Sequence, residues 1–194
     1  MPSERGRPMG HHDSGAVAVE TALVSMFLFV LLFGIVDTSF LLKDWLTVSA
    51  AARAGTRMGA SEPRMANFAQ DSADQVTNAI SGLNPVNIQQ VWVYKTTGTT
   101  GLPPGSCTAS SSCVPFTWNG TKFTATATVI ANWPNTSQNA CAADMGPAPS
   151  PLRDSLGVYV KYKHTAPLAF LFNNAMVSES TVMWIEPSFA LICK

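Results

Sequence analysis

In the first part of the chain the apolar residues run together instead of being spaced. From Ala16 to Leu42 the only charged side chains are Glu20 and Asp37, and the stretch between them, "TALVSMFLFVLLFGIV", is uncharged throughout. As a helix these residues rise roughly 40 Å, enough to cross a hydrocarbon core of about 30 Å. The run is too long for the apolar region of a secretory signal, and no small-x-small cleavage pattern follows it before helix-forming sequence resumes. Beyond it, Leu42, Trp45, Leu46, Ser49, Ala50 and Arg53 keep i, i+3, i+4, i+7 spacing until Gly59 and Pro63. That spacing predicts one helix over about residues 17–60 with these side chains on one face.

A second helix is predicted in "PRMANFAQDSADQVTNAISGL". Pro63 suits its start, Met65, Phe68, Ala69, Ala73, Val76 and Ile80 form an apolar stripe, and Gly82 suits its end. The period then changes to two. Strands are predicted at residues 86–95, 121–133, 156–163 and 178–186, with a hairpin in "FTWNGTKF" where Asn119 and Gly120 suit a type I′ turn. "APLAFLFNNAM", between the last two strands, reads as one or two helical turns. Helices followed by strands with hairpin-capable connections predict an α+β protein: a long N-terminal transmembrane helix, a second amphipathic helix and an antiparallel four-stranded sheet.

Residues 1–15 carry Gly, Pro and charges without apolar periodicity and are expected to be disordered or removed. The organisation expected is a leader at 1–15, a transmembrane and stalk helix at 16–62 and an extracytoplasmic α+β head at 63–194. Basic residues do not settle orientation, since Arg5 and Arg7 precede the span while Lys43, Arg53 and Arg57 follow it.

Twelve basic and twelve acidic residues balance, with no basic block, so the electrostatic footprint of a nucleic-acid binder is missing. All four cysteines, Cys107, Cys113, Cys141 and Cys193, follow the apolar segment and lack the close pairing of zinc ligands. Disulfides in an oxidising compartment fit them better. Three pairings are open, and the small loop "CTASSSC" favours Cys107 with Cys113 and Cys141 with Cys193.

Catalytic signals are sparse. His11 and His12 lie in the expected leader, leaving His164 at a strand end, which reads as a surface residue. Glu179 and Glu186 lie seven apart, on opposite faces of a strand. Asn119 and Asn135 each begin an N-x-S/T sequence, which reads as a chance match, and Trp92, Trp118, Trp133 and Trp184 read as packing residues. No enzyme, cofactor or metal is expected.

A cut after Gly15 would make Ala16 the new N-terminus and Glu20 the fifth residue, with an α-amine close to an acid that is otherwise costly in lipid. This arrangement resembles type IV pilin precursors. The wider stretch "GAVAVETALVSMFLFVLLFGIVDTSFLLKDWLTVSAAARAGTRMGA" resembles the TadE/TadG-like family, pseudopilins or minor pilins of the tight-adherence (Tad) pilus system. The likeness lies in its "G-A-x-x-V-E-x-A" opening, "F-G-I-V-D" and "A-A-R-A-G-T-R", over roughly residues 14–60. Members commonly carry an aromatic after the glutamate, where this chain has Thr21.

The resemblance implies processing by a prepilin peptidase and assembly through Glu20 with other pilins or pseudopilins and a pilus assembly platform. It also implies a single-pass position in the bacterial cytoplasmic (inner) membrane, among its lipids, with the head outside. Two readings of function stay open: a processed pseudopilin acting in pilus assembly, adhesion or secretion, and an uncleaved, membrane-anchored extracytoplasmic binding module. For Asp37 the alternatives are a place at the far membrane interface or a subunit-pairing role. The small residues Ala51, Ala52, Gly55 and Gly59 would permit close helix approach or mark a kinked helix end.

Overall fold

The computed structural model describes residues 13–96, 101–107, 112–140, 153–166 and 172–187. A single helix, α1 (Asp13–Ser61), dominates it, and runs without a break across Gly15. Its lower half lies clear of the other described residues, and the most apolar part of it is not buried at all. Its upper half is embedded. Asp37, Asp44, Val48, Ala51, Ala52, Gly55, Thr56, Gly59 and Ala60 are buried, a seam that returns every three or four residues.

This seam is not the face that apolar spacing suggested. Leu42, Trp45, Leu46, Ala50 and Arg53 point outward, and of the residues on that face only Ser49 is buried. The reason is steric: small residues let neighbouring elements approach the helix closely, and the large side chains occupy the opposite faces. A β-carbon added at Gly55 would lie 2.7 Å from Val76 Cγ2 and 2.9 Å from the Ser72 carbonyl oxygen, and one at Gly59 would lie 2.8 Å from Leu156 Cδ1. The small residues therefore serve close packing within the chain.

The second helix, α2 (Phe68–Ala79), folds back along α1 and buries Phe68, Ala69, Ser72, Ala73 and Val76. It starts five residues later than Pro63 suggested, and Met65 is exposed. Arg64, at φ 60°, turns the chain instead. Its backbone N–H donates to Gln138 Oε1 at 2.7 Å and its carbonyl accepts from Asn135 Nδ2 at 2.7 Å, which holds this less favoured conformation in place.

A five-stranded antiparallel sheet packs against both helices, in the order β3-β2-β1-β4-β5. The strands are β1 (Ile88–Lys95), β2 (Cys113–Trp118), β3 (Phe123–Thr124), β4 (Ser155–Lys163) and β5 (Met176–Trp184). Period-two alternation turns Val91, Val93, Val114, Phe116, Val158 and Val160 to the core beside Val48, Phe68 and Val76. The fold class is thus the α+β arrangement read from the sequence, with one strand more.

The extra strand comes from the hairpin and from the expected strand at 121–133. Only Phe123–Thr124 of that segment is extended, and Ala127–Ile130 forms the short helix α3. The alternating side chains there include the small Ala125, which gives a sheet little to hold, whereas Phe123 reaches the core from β3 and Trp133 from the irregular path beyond α3. The turn differs too. Trp118 pairs with Phe123, so four residues close the hairpin, and Asn119 Oδ1 accepts from the backbone N–H groups of Thr121 and Lys122, each at 2.9 Å. Gly120 has positive φ and Asn119 does not, whereas type I′ requires it at both central residues. The helical turns expected within 166–176 fall largely on residues 167–171, outside the described residues.

Candidate functional site

Gly15, Ala16 and Glu20 all lie exposed on the lower half of α1, and the space beside the Gly15 α-carbon is open. The other polar side chains between residues 16 and 36 are accounted for locally. Thr21 Oγ1 donates to the Val17 carbonyl at 2.8 Å, and the Ser25 hydroxyl donates to the Thr21 carbonyl. Such bonds to the preceding turn hide a hydroxyl in an apolar helix. For Glu20 no partner is found among the described residues, and a carboxylate has no equivalent route to satisfy itself on its own helix.

Apart from Thr21, the surface around Glu20 is apolar. Val17, Leu23, Val24, Phe27, Leu28 and Leu31 are exposed, and Phe29 stacks on Phe33 with ring centroids 6.3 Å apart. These side chains have no core to join inside the chain. Their natural surroundings are lipid or another apolar surface.

Above this face, polar contacts tie α1 to the sheet. Asp44 Oδ2 accepts from His164 Nδ1 at 2.7 Å, and both side chains are largely buried. His164, at 1% exposure, is thus a buried partner and not the surface histidine that its place in the sequence suggested. The Trp45 indole N–H donates to Glu179, Thr56 Oγ1 donates to the Thr181 carbonyl at 3.0 Å, and the Glu186 N–H donates to the Ala60 carbonyl at 2.8 Å. Close to the Asp44 pair, burial raises the Tyr162 phenol above its usual range, against the opposing effect of a hydrogen bond with Asn87. Asp37, at 0% exposure, is sealed inside the chain, so it does not lie at an open membrane edge.

Neither Asp44 nor His164 was singled out as a pair by the sequence. One signal was present: Asp37 and Asp44 stand seven residues apart, which returns both to the same helix face.

At the far end of the head, burial raises the Glu62 carboxyl above its usual range, and the charge of Asp71 and a hydrogen bond with it act in the same direction. Cys107 and Cys113 form a disulfide that closes the loop leading into β2, with α-carbons 5.3 Å apart. Cys141 and Cys193 lie outside the described residues. Trp133 is buried in the core, edge-on to Phe68 at 5.2 Å, and Trp92 packs on Tyr159 at 5.0 Å. Among the described residues no group of three or more His, Cys, Asp or Glu side chains converges to hold a metal ion.

Residues 15–57 match the family model described as TadE-like protein. No curated protein and no solved structure matches the chain. The matched segment begins at Gly15, takes in the whole exposed face around Glu20 and ends in the packed half of α1, before the head's own elements begin. A long apolar helix together with this match points to a membrane-anchored protein. Its α1 segment is thus similar to TadE-like proteins over residues 15–57, a likeness consistent with a TadE-like pilin of the Tad system.

Proposed function

We propose that the chain is a minor pilin, or pseudopilin, of a Tad pilus: a prepilin peptidase cuts after Gly15, and Ala16 becomes the N-terminus of the assembled subunit. The observation that carries this reading is Glu20, a carboxylate exposed on an apolar helix face with no partner among the described residues. At the lower edge of the span such a charge is tolerated, but once apolar helices pack around it in a filament it requires a counter-charge from outside its own helix. The α-amine of Ala16 on a neighbouring subunit supplies one, so the acid favours packing of one α1 against another in the correct register. The start of the family match at Gly15 supports the same boundary.

On this reading the lower half of α1 passes from bilayer to filament, while the head stays on the extracytoplasmic side. An oxidising environment there suits the Cys107–Cys113 disulfide. The partners are the peptidase, other pilins or pseudopilins and the assembly platform. Glu20→Gln and Glu20→Ala test the assembly role in cells carrying the whole pilus system. Membrane insertion is expected to persist in both, with pili lost or strongly reduced. Normal piliation in both variants would remove the assembly role, and an uncleaved chain with normal function would favour a permanently anchored binding module.

A further inference from the structure

Because Asp37 is sealed inside the chain, it does not set the limit of the lipid-facing surface of α1. Counting outward-facing side chains alone, charge is absent from Thr21 to Leu42 and returns at Lys43. Those residues rise roughly 33 Å, close to the thickness of about 30 Å of a hydrocarbon core. The upper edge of the hydrocarbon therefore falls near Leu42, which is where the head begins: Asp44 is already bound to His164, and β5 opens at Met176 beside the same stretch of helix.

An apolar groove of about 670 Å³ crosses this level. Ile35, Leu41, Leu42 and Trp45 line it from α1, and Met176 and Val177 from β5. Leu42 is 54% exposed, Trp45 43% and Met176 55%, although all three lie where the head meets the stalk. An adjoining cleft of about 310 Å³ shares Ile35 and is bordered by Phe40 and Lys43.

We propose that the groove holds one acyl chain of a phospholipid from the adjoining leaflet, so that the lower rim of the head sits within the membrane interface. The proposal rests on the reading of α1 as a membrane span. Continuity selects the occupant: the groove is the upward extension of the lipid-facing surface, with Ile35 in the span and Leu42 at its edge. Trp45 has the character of an interfacial anchor, its indole N–H bonded to Glu179 and its ring turned to apolar surroundings. Lys43, exposed beside the second cleft, is placed at the height of the lipid phosphates. The head is then held at a fixed height on the bilayer before any subunit is taken up.

The test uses the full chain in vesicles of phosphatidylcholine and phosphatidylglycerol, with the phosphatidylcholine either normal or brominated on its acyl chains. Flotation reports the span and tryptophan emission reports the groove. The expected result is flotation of every variant, quenching by brominated chains in the unaltered protein, and loss of most of that quenching in Trp45→Phe. Met176→Asp, at an exposed position outside the core, is expected to lower the Trp45-dependent quenching at least twofold without changing flotation. A floating protein whose emission ignores brominated lipid, or is quenched equally in Trp45→Phe, would overturn the proposal. So would quenching that disappears as protein density in the vesicle rises, since a second copy would then fill the groove. Failure to float would instead remove the spanning reading, and this proposal with it.

Discussion

The two halves of α1 belong to one continuous helix, yet they obey different solvents. Below residue 37 the large side chains, Phe27, Leu28, Phe29 and Leu31 among them, are exposed. Above it the inward residues are small, and the core is completed by α2 and by the valines of β1 and β4. From Ala22 to Val36 the lower half is apolar nearly all round, whereas the upper half is apolar along a seam, which is the difference between a helix in lipid and one on a protein core. Stability of the head is therefore written in the upper half, and association of the chain with its surroundings in the lower half. One acid from each half illustrates this division: Asp44 has its partner in the same chain, and Glu20 has none among the described residues.

Mutations on the two sides of residue 37 can break that division. The largest effect on the head is expected from Leu156→Ala, which empties a fully buried site against Gly59 and costs about 2–5 kcal/mol in denaturation of the full chain in micelles. Gly55→Ala comes next. The added methyl meets a backbone oxygen that cannot move alone, so overpacking of about 1–3 kcal/mol exceeds the gain of about 1 kcal/mol in helix propensity. Asp44→Asn keeps the shape but removes the charge that His164 Nδ1 meets, and a loss of about 1–3 kcal/mol is expected in the same assay.

Glu62→Gln has a smaller effect, and of opposite sign. The folded chain raises the Glu62 carboxyl above its usual value of 4.5, so the folded state binds this proton more readily than the unfolded one. Stability from this group is fully present below about pH 4.5 and is lost as pH rises through the elevated folded value. The glutamine variant should melt slightly higher than the parent at neutral pH, with the advantage gone in acid. Phe29→Ala marks the bottom of the scale: a large exposed aromatic in the lower half should leave head unfolding unchanged, whereas a loss comparable to that of Leu156→Ala would dissolve the distinction between the halves.

Much of this was legible in the sequence because it rests on period. The uninterrupted run before Asp37, the stripe of α2 from Phe68 to Val76 and the alternation in β1, β4 and β5 all translate directly into elements. What was not legible depends on which neighbour reaches a residue first. Leu42, Trp45 and Leu46 match a core stripe by spacing, but Gly55 and Gly59 let α2 and β4 approach another face. His164 sits at a strand end, and only the placement of β4 against α1 brings it to Asp44, 120 positions earlier in the chain. The segment 121–133 alternates like a strand, yet its weak apolar members leave the backbone free to turn after Thr124. At the candidate site, Glu20 stood out because an acid in an apolar run contradicts its surroundings, while the groove above it arises only when β5 is laid beside the helix.

The proposed cut after Gly15 places Glu20 near a new N-terminus. Its most direct test is the intact mass and N-terminal sequence of the protein recovered from membranes of a host carrying its own prepilin peptidase, beside a host lacking that enzyme. The expected result is a chain beginning at Ala16 in the first host and an uncut chain in the second. A chain that keeps residues 1–15 in both would contradict it, leaving Glu20 without the amine and the protein as an anchored module.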